Sequence, residues 1–433
     1  MSSTASYEQR LVTSRLVHRF NFGPTPGQFV DLLQRGIGAT RATVLEHGVA
    51  DHGFASLAPV HLPNLGPIPP PNTAAATAFW NAIYAGQTEL VSWWLDRMYL
   101  SQHPLTERMT WFWHGHWATS ISKIFYPLPM QKQNDTLRKY ALGNFEVMAK
   151  KMVVDGALNY WLDNEENYVT SPNENLAREL MELMTLGVNK FTQHDVIAAA
   201  HALTGYSTNI STGAVSFDPT QHYSKRVTIL GTTAKFNAES LASLVVSRAE
   251  NAKFITDRMW FRFVSGSTKP PASLVASFKR REISSLVSSL VGSAAWSEPA
   301  NSLVKSPVEW FVGACRALRV RPSTLKASDA DWSLLQMGQV PFKPPNVGGW
   351  PYGQAWLSGV ALQYRFGLAQ SIVAAGNLSP LSVPKSKMVQ ACADWLGVPE
   401  WSRRTASSLA AVTGTPSELA VAALLSPEYV VSA

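Results

Sequence analysis

The sequence predicts a mostly helical, multi-helix globular protein with one small β-hairpin or irregular insert near residues 206–232. Three observations carry that reading. Apolar residues recur at three- and four-residue steps over most of the chain. Helix start and stop residues punctuate those stretches. Residues 206–232 break the pattern, with Thr, Val, Ser and Gly alternating.

The elements follow in order. Residues 7–20 and 26–35 read as two short helices, the second opened by Thr25-Pro26 and closed by Gly36. Five prolines in the nine residues 63–71 predict an extended connector, because proline fixes φ and removes a donor. A long helix is expected over 73–100, and another from Pro104 with Met109, Phe112 and Trp113 on its apolar face. Residues 129–154 read as one helix, with Leu137, Ala141, Phe145, Met148 and Met152 in step. Ser171-Pro172-Asn173-Glu174 predicts a capped start, with Ser171 as cap and Glu174 completing a capping box. That helix should run to Leu186. Thr192 and Asp195 repeat the logic for a helix closed by Gly205. Further helices are expected near 239–264, 274–292, 307–319, 330–337, 355–374, 385–395 and 405–425. The run Phe342-Lys343-Pro344-Pro345-Asn346-Val347-Gly348-Gly349-Trp350-Pro351 predicts a rigid loop. Grouped by composition, the chain divides into an N-terminal helical segment (1–62), the connector (63–72), a central helical core (73–205), the insert (206–237) and a C-terminal helical region (238–433).

Composition narrows the function classes. The 433 residues are 46% hydrophobic and 15% charged, so global disorder is excluded. The net charge of +7 is scattered and forms no basic stripe with interleaved aromatics, which argues against nucleic-acid binding. The start carries no secretory signal pattern and no apolar run reaches about 18 residues, so a soluble, cytoplasmic protein without a membrane span is the expectation. Cys315 and Cys392 lie in no metal-type spacing, and a bridge between them stays open. Phosphate-loop, GxSxG, HExxH and ExxH motifs are absent from the sequence.

Three constellations could carry chemistry. In Trp111-Phe112-Trp113-His114-Gly115-His116-Trp117, two histidines lie two residues apart. They could share a divalent metal only if the helix breaks at Gly115, since helical residues two apart face about 200° apart. The plainer reading is an aromatic core segment with hydrogen-bonded histidines. In Asn173-Glu174-Asn175-Leu176-Ala177-Arg178-Glu179-Leu180-Met181-Glu182, the polar residues share one helix face. That face suits a metal or acid/base site, or equally a solvated surface on which Arg178 pairs with Glu174 and Glu182. Asp218 and His222 could complete an acid/base set, or form an ordinary Asx turn.

Taken together, the strings WFWHGHWATS, SPNENLARELMELMTLGV, ALTGYS, FDP, PPNVGGW and LLSPEYV resemble the bacterial family known as domain of unknown function 1800, from about Leu11 to near the C-terminus. The resemblance implies a largely helical fold without an agreed activity. It also implies a neighbouring partner like the phosphatase and sulfatase superfamily, and often an export signal. The family's motif positions fall on His114, His116, Pro172, Asn173, Glu174, Asn175, Arg178, Glu179, Glu182, Asp218 and His222. Two departures stand out: His201 where arginine is more usual, and no export signal. The resulting expectation is a metal-dependent enzyme, a hydrolase or transferase acting on a glycan or other polymer, with an acidic or glycan substrate. His114, His116 and Glu179 would hold the metal, Glu182 or His222 would act as general acid/base, and Arg178 would hold an anionic group. The alternative is a non-catalytic binding or assembly partner of the phosphatase-like protein.

Overall fold

A computed structural model describes residues 5–432. Its helices run from Tyr7–Asn21 to Pro427–Val430, and its strands form three two-stranded antiparallel sheets. The mostly helical reading therefore holds. The insert contains two hairpins, Tyr206–Asn209 with Ala214–Phe217 and Val227–Ile229 with Thr232–Ala234. No described helix is long and apolar enough to cross a membrane.

Several starts are set by side-chain caps, that at Thr192 as expected. Thr73 caps Ala74–Leu100, and Thr192 forms a reciprocal capping box with Asp195. Other boundaries move. The second helix leaves helical angles at Gly36, as expected, but resumes and ends only at Leu45. The single helix expected over 129–154 is two, Pro127–Tyr140 and Phe145–Met152, because the Asn144 side chain accepts from Glu146 and Val147 and opens a new helix. Ser171 does not cap. It pairs with Tyr168 across a bridge, and the Asn173 side-chain oxygen takes the Asn175 N–H instead. The helix begins at Asn175, and its second half, Leu180–Thr185, widens into a π-helix. The helices expected at 239–264, 274–292 and 405–425 are each divided in two.

Buried side chains form two large clusters. One gathers Leu16, Trp113, Phe145, Leu180 and Phe263; the other gathers Trp94, Trp111, Trp310, Phe342 and Trp350. The Leu105–His116 helix lies between them, since Trp113 packs into the first cluster and Trp111 into the second. Of its twelve residues all but Thr106 are buried, the mark of a helix enclosed on all sides. The charges it carries inward therefore need partners. Arg97 and Arg138 both pair with Glu107, and Trp94 donates to it at 3.1 Å. Cys315 and Cys392 are both buried and free.

Candidate functional site

The Leu105–His116 helix is unbroken through Gly115, so the two histidines face different surroundings. Trp94, Trp111, Phe342 and Trp350 surround His114. Its Nε2 accepts the Phe342 N–H at 3.2 Å, which leaves the proton on Nδ1. Phe112, Trp113, Trp117, Phe145 and Phe254 surround His116. Its Nε2 donates to the Met184 carbonyl at 2.9 Å. The two rings thus carry opposite tautomers. Burial pushes His114 down to about 3 and His116 well below the ordinary histidine range, with nearby Arg258 adding in the second case. Each is a neutral ring in an aromatic interior.

These bonds have a structural logic. A π-helix leaves carbonyls out of the usual ladder. His116 takes the Met184 carbonyl and Asn251 takes that of Thr185 at 2.9 Å. His114 fastens the 342–351 loop, whose Phe342 carbonyl also accepts the Ile121 N–H. Trp350 stacks on Trp111 at 4.8 Å, and Gly349 lies against the Gly115 backbone. The strings WFWHGHW and PPNVGGW are two halves of one clamp.

The polar helix face lies at the surface. Arg178 pairs with Glu174 at 2.9 Å, and Gln193 bonds both. Glu179 and Glu182 are partly exposed, and their carboxylates make no hydrogen bond among the described residues. Burial, with Glu182 adding and Arg178 opposing, raises the Glu179 carboxyl above its ordinary range. His116 reaches the same segment only through a backbone carbonyl. Asp218 closes an Asx turn with Thr220, and His222 lies between the carbonyls of Thr204 and Phe236 at 3.0 and 3.1 Å. Among the described residues no group of three or more His, Cys, Asp or Glu side chains stands close enough to hold a metal. His114, His116 and Glu179, expected to share a metal, therefore do not converge on one point. The Glu179→Gln variant is expected to melt within about 0.5 kcal/mol of the parent, since no charged partner loses its counter-ion. A loss of several degrees in thermal unfolding would contradict this surface placement.

A different set of charges converges around a small cavity of about 80 Å³. Its walls include His18 and Arg19 of the first helix, Arg108, Arg262, Lys305, Glu309 and the aromatics Phe261, Tyr352 and Trp356. Arg19 is 4% exposed and gives its N–H groups to oxygens of Phe263, Val264, Asn301 and Ser432, none of them a carboxylate. Arg108 pairs with Glu309 and donates to the Arg19 carbonyl. Burial works to raise the Glu309 carboxyl, but Arg108, the Ser306 N–H and Arg262 outweigh it and the net shift is downward. Arg262 lies flat on the Tyr352 ring, 3.4 Å from its centroid, and has no hydrogen-bond partner among the described residues. Burial pushes it down to about 10. Three arginines and Lys305 thus line the same pocket as one carboxylate. Tyr352 follows directly on the clamped 342–351 loop, so the clamp sets the wall on which Arg262 rests.

Sequence reasoning missed this pocket. Arg19, Arg108, Arg262 and Lys305 are separated by up to 286 positions (305 − 19) and belong to no short motif. The available signal was a charged residue such as Arg108 inside a helix apolar on every side.

A family model described as "Protein of unknown function (DUF1800)" matches residues 15–431. Neither curated proteins nor solved structures give a match.

Proposed function

The chain belongs to this family over essentially its whole length, and from that premise we propose that it binds a small organic anion in the cation-lined cavity, which serves as its substrate site. One observation carries the reading. Four basic side chains line a small cavity that holds a single carboxylate, itself committed to Arg108. Like charges gathered in a low-dielectric site raise each other's cost, and an anionic guest offsets it. The arginine fork is suited to a carboxylate or phosphate. A volume of about 80 Å³ has room for roughly five or six heavy atoms. Phe261, Tyr352 and Trp356 would cover the apolar part of such a molecule. This reading keeps the acidic substrate expected from sequence and assigns its recognition to Arg108 and Arg262 instead of Arg178.

The test is calorimetric titration with phosphate, acetate, pyruvate and succinate beside uncharged glycerol. Saturable binding of at least one anion is expected. The Arg262→Gln variant should weaken it by about 10- to 100-fold, the worth of one charge-assisted hydrogen bond of roughly 1.5–3 kcal/mol. Its fold should be unaffected, because Arg262 bonds no protein oxygen. Binding that ignores Arg262, or no binding of any anion at millimolar concentration, would refute the proposal.

A further inference from the structure

Lys305 stands apart from the other cations of the pocket. Its backbone is held on both sides. The preceding residues Leu303 and Val304 pair with Ser432 and Val431, its own N–H donates to the Val430 carbonyl at 2.9 Å, and Ser306 then caps the Pro307–Leu318 helix. The residue is only 6% exposed, yet it lines the cavity. Its Nζ sits 3.6 Å from the Tyr429 ring centroid and has no oxygen partner among the described residues. Glu309, one helical turn away, is occupied by Arg108 and the Ser306 N–H. Arg19 satisfies its charge with a ring of oxygens. Lys305 does not, although it is as deeply buried.

We infer that the Lys305 amine is a nucleophile that condenses with the carbonyl carbon of a small 2-oxo or aldehyde acid, whose carboxylate is held by Arg108 and Arg262. The inference rests on the anion-binding reading above. In the step, nitrogen forms a bond to the carbonyl carbon and gives a carbinolamine. The carbonyl oxygen then leaves as water, taking both amine hydrogens, and an imine remains. No oxidant or reductant is needed. The step requires the free amine. Burial drives Lys305 well below the ordinary lysine range, with Glu309 opposing and Arg19 adding. The groups facing it are His18 and Arg19 of the first helix, Arg108, Glu309 and Tyr429. His18 donates through Nε2 to the Leu396 carbonyl at 3.1 Å. The His18 ring lines the cavity, and its Nδ1 carries no proton.

The experiment incubates the full chain at pH 7 with pyruvate or glyoxylate, adds borohydride, and maps the product by peptide mass spectrometry. The expected result is one modified peptide carrying Lys305, heavier by the mass of the acid less one oxygen atom. The Lys305→Met variant should lose that product while keeping its fold. Calorimetry with lactate, which has the carboxylate but no carbonyl, is run in parallel. Pyruvate and lactate binding with no adduct at Lys305 overturns the imine and leaves the anion pocket standing. Binding of neither overturns both. Adducts spread over surface lysines, unchanged in Lys305→Met, also overturn it.

Discussion

Below pH 6.5 the protein is expected to lose stability at about 3 kcal/mol per pH unit, and to unfold near pH 5 in mild denaturant. His18, His114 and His116 are buried, and each is held below the ordinary histidine range with burial as the largest cause. A histidine whose folded value is depressed contributes stability that is fully present above its unfolded value of about 6.5. The contribution is lost as pH falls toward the folded value, about 3 for His114. Within that window each unfolded ring takes up a proton that the folded ring refuses, about 1.4 kcal/mol per pH unit. Three rings give about 4 kcal/mol per unit. Asp155 works the other way. Burial raises it to about 6, so between about pH 6 and 4 the folded state holds the extra proton and one of the three is offset. Against a total of roughly 5–15 kcal/mol for a folded protein, the net slope is decisive. Urea unfolding followed by tryptophan fluorescence at pH 7.5, 6.5 and 5.5 measures it. His116→Gln keeps a donor for the Met184 carbonyl and should reduce the slope by about one proton. A flat profile between pH 7 and 5 would mean that the rings are hydrated or charged in the fold.

Much of the helical layout was legible because caps are local chemistry. Thr192 bonds the Asp195 N–H three residues on, and sequence spacing reports that directly. The misses are places where a competing local bond won. Asn144 splits one apolar-periodic stretch, and the Asn173 N–H that a Ser171 cap could have taken goes to the Asn167 side chain. The π-helix at Leu180–Thr185 is invisible to a 3.6-residue pattern, because its extra residue is accommodated through tertiary contacts from His116 and Asn251. For the histidines and the polar helix face the plainer alternatives describe what is seen: hydrogen-bonded rings among aromatics, and an Arg178–Glu174 surface pair. The pocket could not be read at all. Its cations come from distant segments, and convergence over such separations is a property of packing and not of spacing.

The glycine in PPNVGGW is expected to matter more to stability than either histidine of HGH. Gly349 has φ +85°, and a Cβ there would lie 2.4 Å from the Gly115 carbonyl oxygen. That oxygen is backbone of an enclosed helix, so it cannot swing aside. Gly349→Ala combines left-handed strain of about 1–3 kcal/mol with this overlap, and should cost 3 kcal/mol or more in all, on the order of the worst single substitutions. The damage should spread to ligand binding, because the loop carries Tyr352, the ring under Arg262. Gly115→Ala is the matched control. Its Cβ would meet Arg262 at 3.4 Å and Trp350 at 3.7 Å, ordinary contacts. Removing a helical glycine stabilises by about 0.5–1 kcal/mol when nothing clashes. Thermal unfolding of the two variants should therefore move in opposite directions, or leave Gly115→Ala unchanged. The pair also separates two accounts of the His-Gly-His string. If Gly115 broke the helix so that His114 and His116 could share a metal, Gly115→Ala would be the damaging change and Gly349→Ala the mild one. If Gly115 serves as the flat floor on which the 342–351 loop is seated, the order is reversed, and the loop glycine is the residue the fold cannot spare.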